Sequence, residues 1–561
     1  MSKTIKILST SDVHGFVYPT DFSSRDNRTE LGLLKAGSYI KQTKENAKDD
    51  ETVVAIENGD LIQGSPLTSY LADHSDHQSF LSLITRKIGY DAGILGNHEF
   101  NYGFNYIKNS EADRNYPILA ANIDGAIAAG IAEQPYQIIE KNGIKIAILG
   151  LTTAFIPNWE LAKNIPGLTF NSILPIAKQL VPELRKQADV VIVSYHGGIE
   201  ADPETGEPTE KYTVENEGAR LLNEVPGIDA LVTGHQHREL ATKINGVPLT
   251  QPGLHGTNVG EITLQLDNDN HVISSESQLI DTAPIKIDPD LMPNPELEET
   301  VQDWLDQPMG TVTGADMRIT SPMEARLHGH PYLELINQVQ MDALGADIAS
   351  TALFNDDLDG YGRNVSMREI INNYPYPNLA FLEKVTGKDL KAALERCASF
   401  FTLQNGEIGI STEFTKPKLQ MFNYDFYSGI DYEFDLTKPV GHRVTKLIYH
   451  DKTVTDDQSL LVAMNNYRGI GGGEYSMFGS DKLVKQTSDS IQNLTIEYLK
   501  HHDPYQAIQP NNLTIKNNEL AEKSANSFLL CSFFRFKLFY ISSGFIMIKF
   551  MFRCSNYHCG K

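Results

Sequence analysis

Short apolar runs recur through the first half of the chain, each closed by glycine or a polar residue: TIKILS, TVVAIE, DAGILG, IKIAILG, DVVIVS and IDALVTG. Their brevity and their content of Ile, Val and Leu predict strands buried on both faces, with helices in the segments between them. Up to about residue 285 that alternation predicts an α/β layer architecture. Residues 281–310 turn proline-rich, then acidic and helix-like, which predicts a linker carrying a short helix. From about 311 to 520 the pattern mixes helices (PYLELINQVQMDAL, GKDLKAALERCASFF) with strands (VTKLIYH, SLLVAMN), and no internal repeat is visible.

A chain of 561 residues is too long for one hydrophobic core. The expected division is residues 1–285, a linker helix over 286–310, a second α+β domain over 311–520, and an atypical apolar and basic tail over 521–561. In the tail, Arg535, Lys537 and Lys549 interrupt the apolar run, so no stable membrane span is expected. Hydrophobic content of 41% and charged content of 21% are ordinary for a globular protein. The net charge of −24 disfavours binding to a nucleic-acid polymer. A small anionic substrate stays compatible, because bound cations reverse the local potential. Cys397 stands alone and Cys531, Cys554 and Cys559 crowd the C-terminus, so the body has no disulfide framework. The N-terminus lacks an apolar signal core, which reads as cytoplasmic, or as exported if a leader is missing.

Five motifs each follow an apolar run: Ser11-Asp12-Val13-His14-Gly15, Asn58-Gly59-Asp60, Gly96-Asn97-His98-Glu99, Tyr195-His196-Gly197 and Gly234-His235-Gln236-His237. In open α/β sheets ligands gather beyond the carboxyl ends of strands, so distant motifs of this kind converge. Imidazole and carboxylate together suit Zn²⁺, Mn²⁺ or a similar ion rather than Ca²⁺. A carboxylate such as Asp60 can touch two cations, and Asn97 supplies a neutral carbonyl oxygen. Two cations about 3.5–4 Å apart clamp a phosphoryl group and lower the pKa of a water toward about 7.

The five motifs, in this order, resemble the calcineurin-like metallophosphoesterase superfamily. More narrowly, they resemble its bacterial 5′-nucleotidase and 2′,3′-cyclic-nucleotide 2′-phosphodiesterase family. The resemblance implies a four-layer αββα metal domain followed by a C-terminal α+β nucleotide-binding domain. It implies two divalent metal ions, one held by Asp12, His14, Asp60 and His237, the other by Asp60, Asn97, His196 and His235. His98 would be the unligated histidine that stabilises the transition state or protonates the leaving oxygen. Members acting mainly as 5′-nucleotidases often carry an aspartate three residues beyond that histidine; here Asn101 stands there, in Phe100-Asn101-Tyr102-Gly103. An amide lacks the charge that raises a histidine's pKa. This version resembles the cyclic phosphodiesterase branch, and Asn101 joins His98 as a candidate catalytic group.

Two aromatic segments of the second domain, residues 422–429 and 465–475, could sandwich a flat base. By family position the clamp would be Tyr424 and Tyr475, with Tyr467 competing for the second place. Asn355 is a further candidate substrate contact. Arg363 and Arg368 read as surface ion-pairing residues, and His255 as a structural loop residue. The expected activity is metal-dependent hydrolysis of nucleotide phosphoesters, foremost 2′,3′-cyclic nucleotides with 3′-nucleotidase action. A 5′-nucleotidase or a nucleotide-sugar or dinucleotide pyrophosphatase is the near alternative. A non-catalytic binding protein on the same fold is the remote one.

Overall fold

The structure is a computed structural model that describes residues 3–292, 295–416 and 419–517. The tail expected over 521–561 lies outside the described residues.

Every apolar run singled out above forms a strand. The first sheet is built from β1 (Lys3–Thr10), β2 (Glu51–Glu57), β3 (Ala92–Ile94) and β4 (Ile118–Leu119). The second contains β5 (Tyr136–Lys141), β6 (Ile144–Thr152), β7 (Val190–His196), β8 (Ala230–Val232), β9 (Glu239–Ile244) and β10 (Val247–Pro252). Two further strands, β11 (Asn258–Leu266) and β12 (Val272–Asp281), return to the first sheet, giving orders β12-β11-β1-β2-β3-β4 and β9-β10-β8-β7-β6-β5. The strands that carry the motifs run parallel, β1 with β2, β2 with β3, and β7 with both β6 and β8. Within each sheet their carboxyl ends therefore open on one side.

Alternation along each strand explains the layering. Ile5 and Ile7 of β1, Val54 and Ile56 of β2, Ile146 and Ile148 of β6, and Val190 and Ile192 of β7 share one core between the sheets. The opposite residues of β6 and β7, Ala147, Leu149, Val191 and Val193, pack under the helix Ile173–Leu184. Leu8, Val53 and Ala55 pack against the helix Leu33–Glu45 on the other outer face. The result is the expected four-layer αββα arrangement.

The linker helix is shorter than its expected bounds. Helix Pro295–Leu305 gives way to a strand at Pro308–Gly314, which pairs with Tyr505–Ala507 of the second domain. Leu297, Val301 and Leu305 are buried, so this helix is packed structure and not a tether. Arg25 grips it through Glu299, Asp303 and Asp306. Arg368, read from sequence as a surface residue, is buried there instead: it donates to Phe22 O at 2.9 Å and to Asp306 Oδ1 at 2.6 Å, joining both domains through the linker. Arg363 is exposed, but it donates to the carbonyls of Gly314 and Ala315.

In the second domain, β13 (Ile348–Ala352), β14 (Leu379–Thr386), β15 (Asp425–Ser428), β16 (Ser459–Asn465) and β17 (Leu483–Ser490) form a mixed sheet of order β15-β13-β16-β14-β17. The helix Pro331–Leu344 lies against it, its buried residues spaced as the apolar periodicity requires. Both aromatic segments leave this sheet: one enters β15, the other follows β16. Among the described residues no helix is long and apolar enough to cross a membrane.

Candidate active site

The five motifs meet at the carboxyl ends of β1, β2, β3, β7 and β8. Turning a chain sharply at a strand end requires unusual backbone, and Asp12, His14, Asp60, His235 and His237 all have φ between 51° and 69°. Glycines complete the turns where there is no room for a side chain. A Cβ on Gly96 would collide with Asp60 Oδ1, and one on Gly234 with Ser11 Oγ.

Ligand atoms of Asp12, His14, Asp60 and His237 lie within 4.8 Å of one another, and those of Asp60, His196 and His235 do likewise. Asp60 belongs to both groups. Its Oδ1 accepts from His98 N at 2.8 Å, while its buried Oδ2 has no hydrogen-bond donor and lies 3.2 Å from His196 Nε2 and 3.9 Å from His14 Nε2. His14 Nε2 and His237 Nε2 face each other at 3.1 Å. Asn97 Oδ1 lies 2.8 Å from His235 Nδ1 and 3.3 Å from His196 Nε2, adding an oxygen to the second group. Converging lone pairs and an orphaned carboxylate oxygen fit divalent cations, which need such donors and bring no hydrogen of their own.

The surroundings prepare these donors. His14 Nδ1 donates to Gln63 O at 3.0 Å and His196 Nδ1 to Asn58 O at 2.7 Å, leaving each Nε2 turned inward. His235 instead presents Nδ1 and sets Nε2 3.1 Å from Glu215 Oε1. Glu99 takes the backbone N–H groups of Asp60, Leu61 and Gly96 at 2.6 to 2.8 Å, clamping two ligand loops together. Burial pushes the Asp12 carboxyl up to about 6. Burial also works against the charged forms of Asp60 and His196, but with no cation between them their mutual attraction across 3.2 Å outweighs it: Asp60 falls well below the usual carboxylate range and His196 rises to about 10, and a cation would take the place of the proton on His196 Nε2. Burial holds His14 down at about 3, a neutral imidazole ready to ligate.

His98 stands beside this cluster, its ring edge-on to His14 at 5.2 Å, and its Nδ1 lies 2.8 Å from Asn101 Oδ1. His255 supports the loops, donating from its backbone N to Asp12 O at 2.9 Å and packing on Phe16.

The second domain distributes its aromatic residues differently from the expectation. Tyr424 and Tyr475 are 1% and 0% exposed. Tyr424 packs on Phe400 and Phe401 and donates to Arg326 O at 2.7 Å. Tyr475 lies under the Arg468 guanidinium, 3.8 Å from its ring, and donates to Asn423 O. As placed, neither ring offers a face to a substrate. Tyr467 is half-buried, beside Phe422, and within electrostatic reach of Glu215; burial chiefly pushes its hydroxyl up to about 12. It is thus the candidate of the three that faces the metal-binding domain. Asn355 is exposed and accepts from Asp357 N at 2.9 Å, closing its own loop.

Sequence reasoning missed Glu215, Trp159 and Glu160. Glu215 sits in an acidic loop with no spacing signal. Trp159 is half-exposed with its ring 5.2 Å from that of His235. A tryptophan next to a glutamate, soon after a strand end, was the only trace in the sequence.

Two family models match: calcineurin-like phosphoesterase over residues 5–239, and the 5′-nucleotidase C-terminal domain over residues 308–480. A 2′,3′-cyclic-nucleotide 2′-phosphodiesterase/3′-nucleotidase of Haemophilus influenzae is 28% identical across 88% of this chain and 84% of its own. The Salmonella typhimurium protein of the same name is 28% identical across 83% of this chain and 81% of its own. A crystal structure from Staphylococcus aureus, described as a candidate 5′-nucleotidase, is 37% identical, with a TM-score of 0.86 over 92% of this chain and 100% of its own. The chain belongs to the 5′-nucleotidase family of calcineurin-like, divalent-metal phosphoesterases.

Proposed function

We propose that this enzyme hydrolyses nucleoside 2′,3′-cyclic phosphates at the 2′-oxygen and then acts on the resulting 3′-monophosphate. The observation that carries the reading is Asp60 shared between two groups of metal donors, with unligated His98 alongside. The relatives' names support the substrate class, since two of them are 2′,3′-cyclic-nucleotide 2′-phosphodiesterase/3′-nucleotidases matched along most of their length. Asn101 supports that branch over the simple nucleotidase.

Asp12, His14, Asp60 and His237 would hold one cation, and Asp60, Asn97, His196 and His235 the other; Zn²⁺ or Mn²⁺ suits this donor set. When bound, such a pair neutralises phosphoryl oxygens and makes a water nucleophilic at neutral pH. The water oxygen joins phosphorus as the bond from phosphorus to O2′ breaks in line. His98 Nε2 delivers a proton to the departing O2′, so that a 3′-phosphate and a free 2′-hydroxyl result. His14 and Asp12, buried and held by Gln63 O and Ser11 Oγ, would keep their metal-facing atoms in place. Tyr467 would meet the base from the second domain. Trp159, beside His235, would wall the same cleft from the metal-binding domain.

The test is turnover of 2′,3′-cAMP, 3′-AMP, 5′-AMP and UDP-glucose by metal-analysed protein. Preference for the first two is expected. Cleavage of 5′-AMP alone would sink the reading in favour of a 5′-nucleotidase, the function suggested by the name of the Staphylococcus aureus relative.

A further inference from the structure

Asn101 is an amide where a carboxylate would most directly support His98, yet a carboxylate stands one hydrogen bond further out. His98 Nδ1 lies 2.8 Å from Asn101 Oδ1, and Asn101 Nδ2 donates to Glu160 Oε2 at 2.8 Å. Glu160 is 8% exposed and sits in the loop after β6. Its other oxygen accepts from Leu161 N at 2.7 Å and from Asn164 Nδ2 at 2.8 Å. Asn164 Nδ2 also reaches Asn101 O at 3.0 Å, so Glu160 and Asn164 together bracket Asn101.

We infer that Glu160 is a positioning residue for the reaction: it orients the Asn101 amide and thereby fixes which nitrogen of His98 carries the permanent hydrogen. The inference rests on the phosphoesterase reading, with His98 as proton donor. An ionised carboxylate only accepts hydrogen bonds. Asn101 must therefore turn its NH₂ group to Glu160 and its Oδ1 to His98. The reversed amide would press Oδ1 against the Glu160 oxygens, acceptor on acceptor, in a buried setting where such contacts are costly. Because Oδ1 only accepts, His98 Nδ1 keeps its hydrogen whether the ring is neutral or charged. The proton that is transferred is then confined to Nε2. An aspartate at position 101 would achieve this in one bond; here the charge acts through a neutral amide.

The test compares E160Q, N101D and the double variant N101D/E160Q, with metal content and thermal unfolding measured for each. A glutamine at 160 can itself donate, so the Asn101 amide is free to reverse and the hydrogen on Nδ1 is no longer enforced. E160Q is expected to lower kcat roughly 10- to 100-fold, with KM within about twofold and metal content unchanged. N101D alone sets two carboxylates in contact and should lose activity comparably. The double variant, in which the glutamine donates to the new carboxylate, should regain about tenfold over E160Q. Nitrogen-15 NMR of the metal-loaded protein reads the His98 tautomer without turnover: the Nδ1–H form is expected in the wild type and a mixture in E160Q. A wild type in the Nε2–H form overturns the inference even if nucleotides are hydrolysed. So does a kcat of E160Q within about twofold of wild type, loss of metal in parallel with kcat, or a double variant at the product of the two single losses. If the tautomers behave as expected but no nucleotide is turned over, the functional reading falls and the placement of Glu160 stands.

Discussion

Two buried charge clusters, one in each domain, are built in opposite ways. In the second domain Arg468 and Asp425, each 1% exposed, pair bidentately at 2.8 and 3.0 Å, and Arg468 also reaches the carbonyls of Phe422 and Gly472. Those hydrogen bonds are internal and satisfied, and they tie the two aromatic segments together. In the first domain Asp12 and Asp60 are as deeply buried, yet Asp60 Oδ2 has no donor and imidazole nitrogens face each other. A satisfied buried ion pair is structural, whereas a carboxylate oxygen without a hydrogen bond, set among converging imidazoles, marks a place kept for a cation.

The contrast can be broken most forcefully at Asp60. Asp60→Asn should lose both metal and roughly 10³-fold or more in turnover, several kcal/mol of charge stabilisation, while the fold survives. Metal analysis with kinetics checks it, and retained metal would unseat Asp60 as the shared ligand. Next comes His98→Ala, expected to lower kcat about 10²- to 10⁴-fold with near-normal metal content. In the second domain the loss should appear as stability instead. Asp425→Ala strands a buried guanidinium and should cost about 3–5 kcal/mol in denaturant unfolding, with metal content unchanged. Tyr467→Ala should raise KM for different nucleosides alike, by about 1–3 kcal/mol of lost stacking, with little change in kcat. The smallest effect is expected of Tyr475→Phe: about 1 kcal/mol of stability for a lost hydrogen bond, and an unaltered KM. A large KM change there would restore Tyr475 to the base site.

These two halves were unequally legible in the sequence. Cation chemistry restricts residue type, so Asp12, His14, Asp60, Asn97, His196, His235 and His237 stood out after their strands, and the structure brings all seven together. Stacking does not restrict residue type in that way. Tyr424, Tyr467 and Tyr475 lie in similar aromatic, polar surroundings in the sequence, and only packing decides which ring faces outward. Strand signals were strong where both faces are buried, as in β7. The hairpins β9–β10 and β11–β12 alternate polar and apolar residues more loosely and were not distinguished. Glu160 was invisible because its meaning depends on a hydrogen bond spanning 59 positions.

The left-handed backbone at Asp12, His14, Asp60, His235 and His237 also bears on how this enzyme can change. Asp, Asn and His tolerate that conformation better than other side chains, for which it costs about 1–2 kcal/mol per residue. A position that must bind a cation and also adopt this shape has few admissible occupants. Glutamate or cysteine could supply a donor atom, but each would strain the turn that aims it. Where these positions admit exchange at all, it should stay within Asp, Asn and His, and Asp60, which belongs to both donor groups, should not admit even Asn.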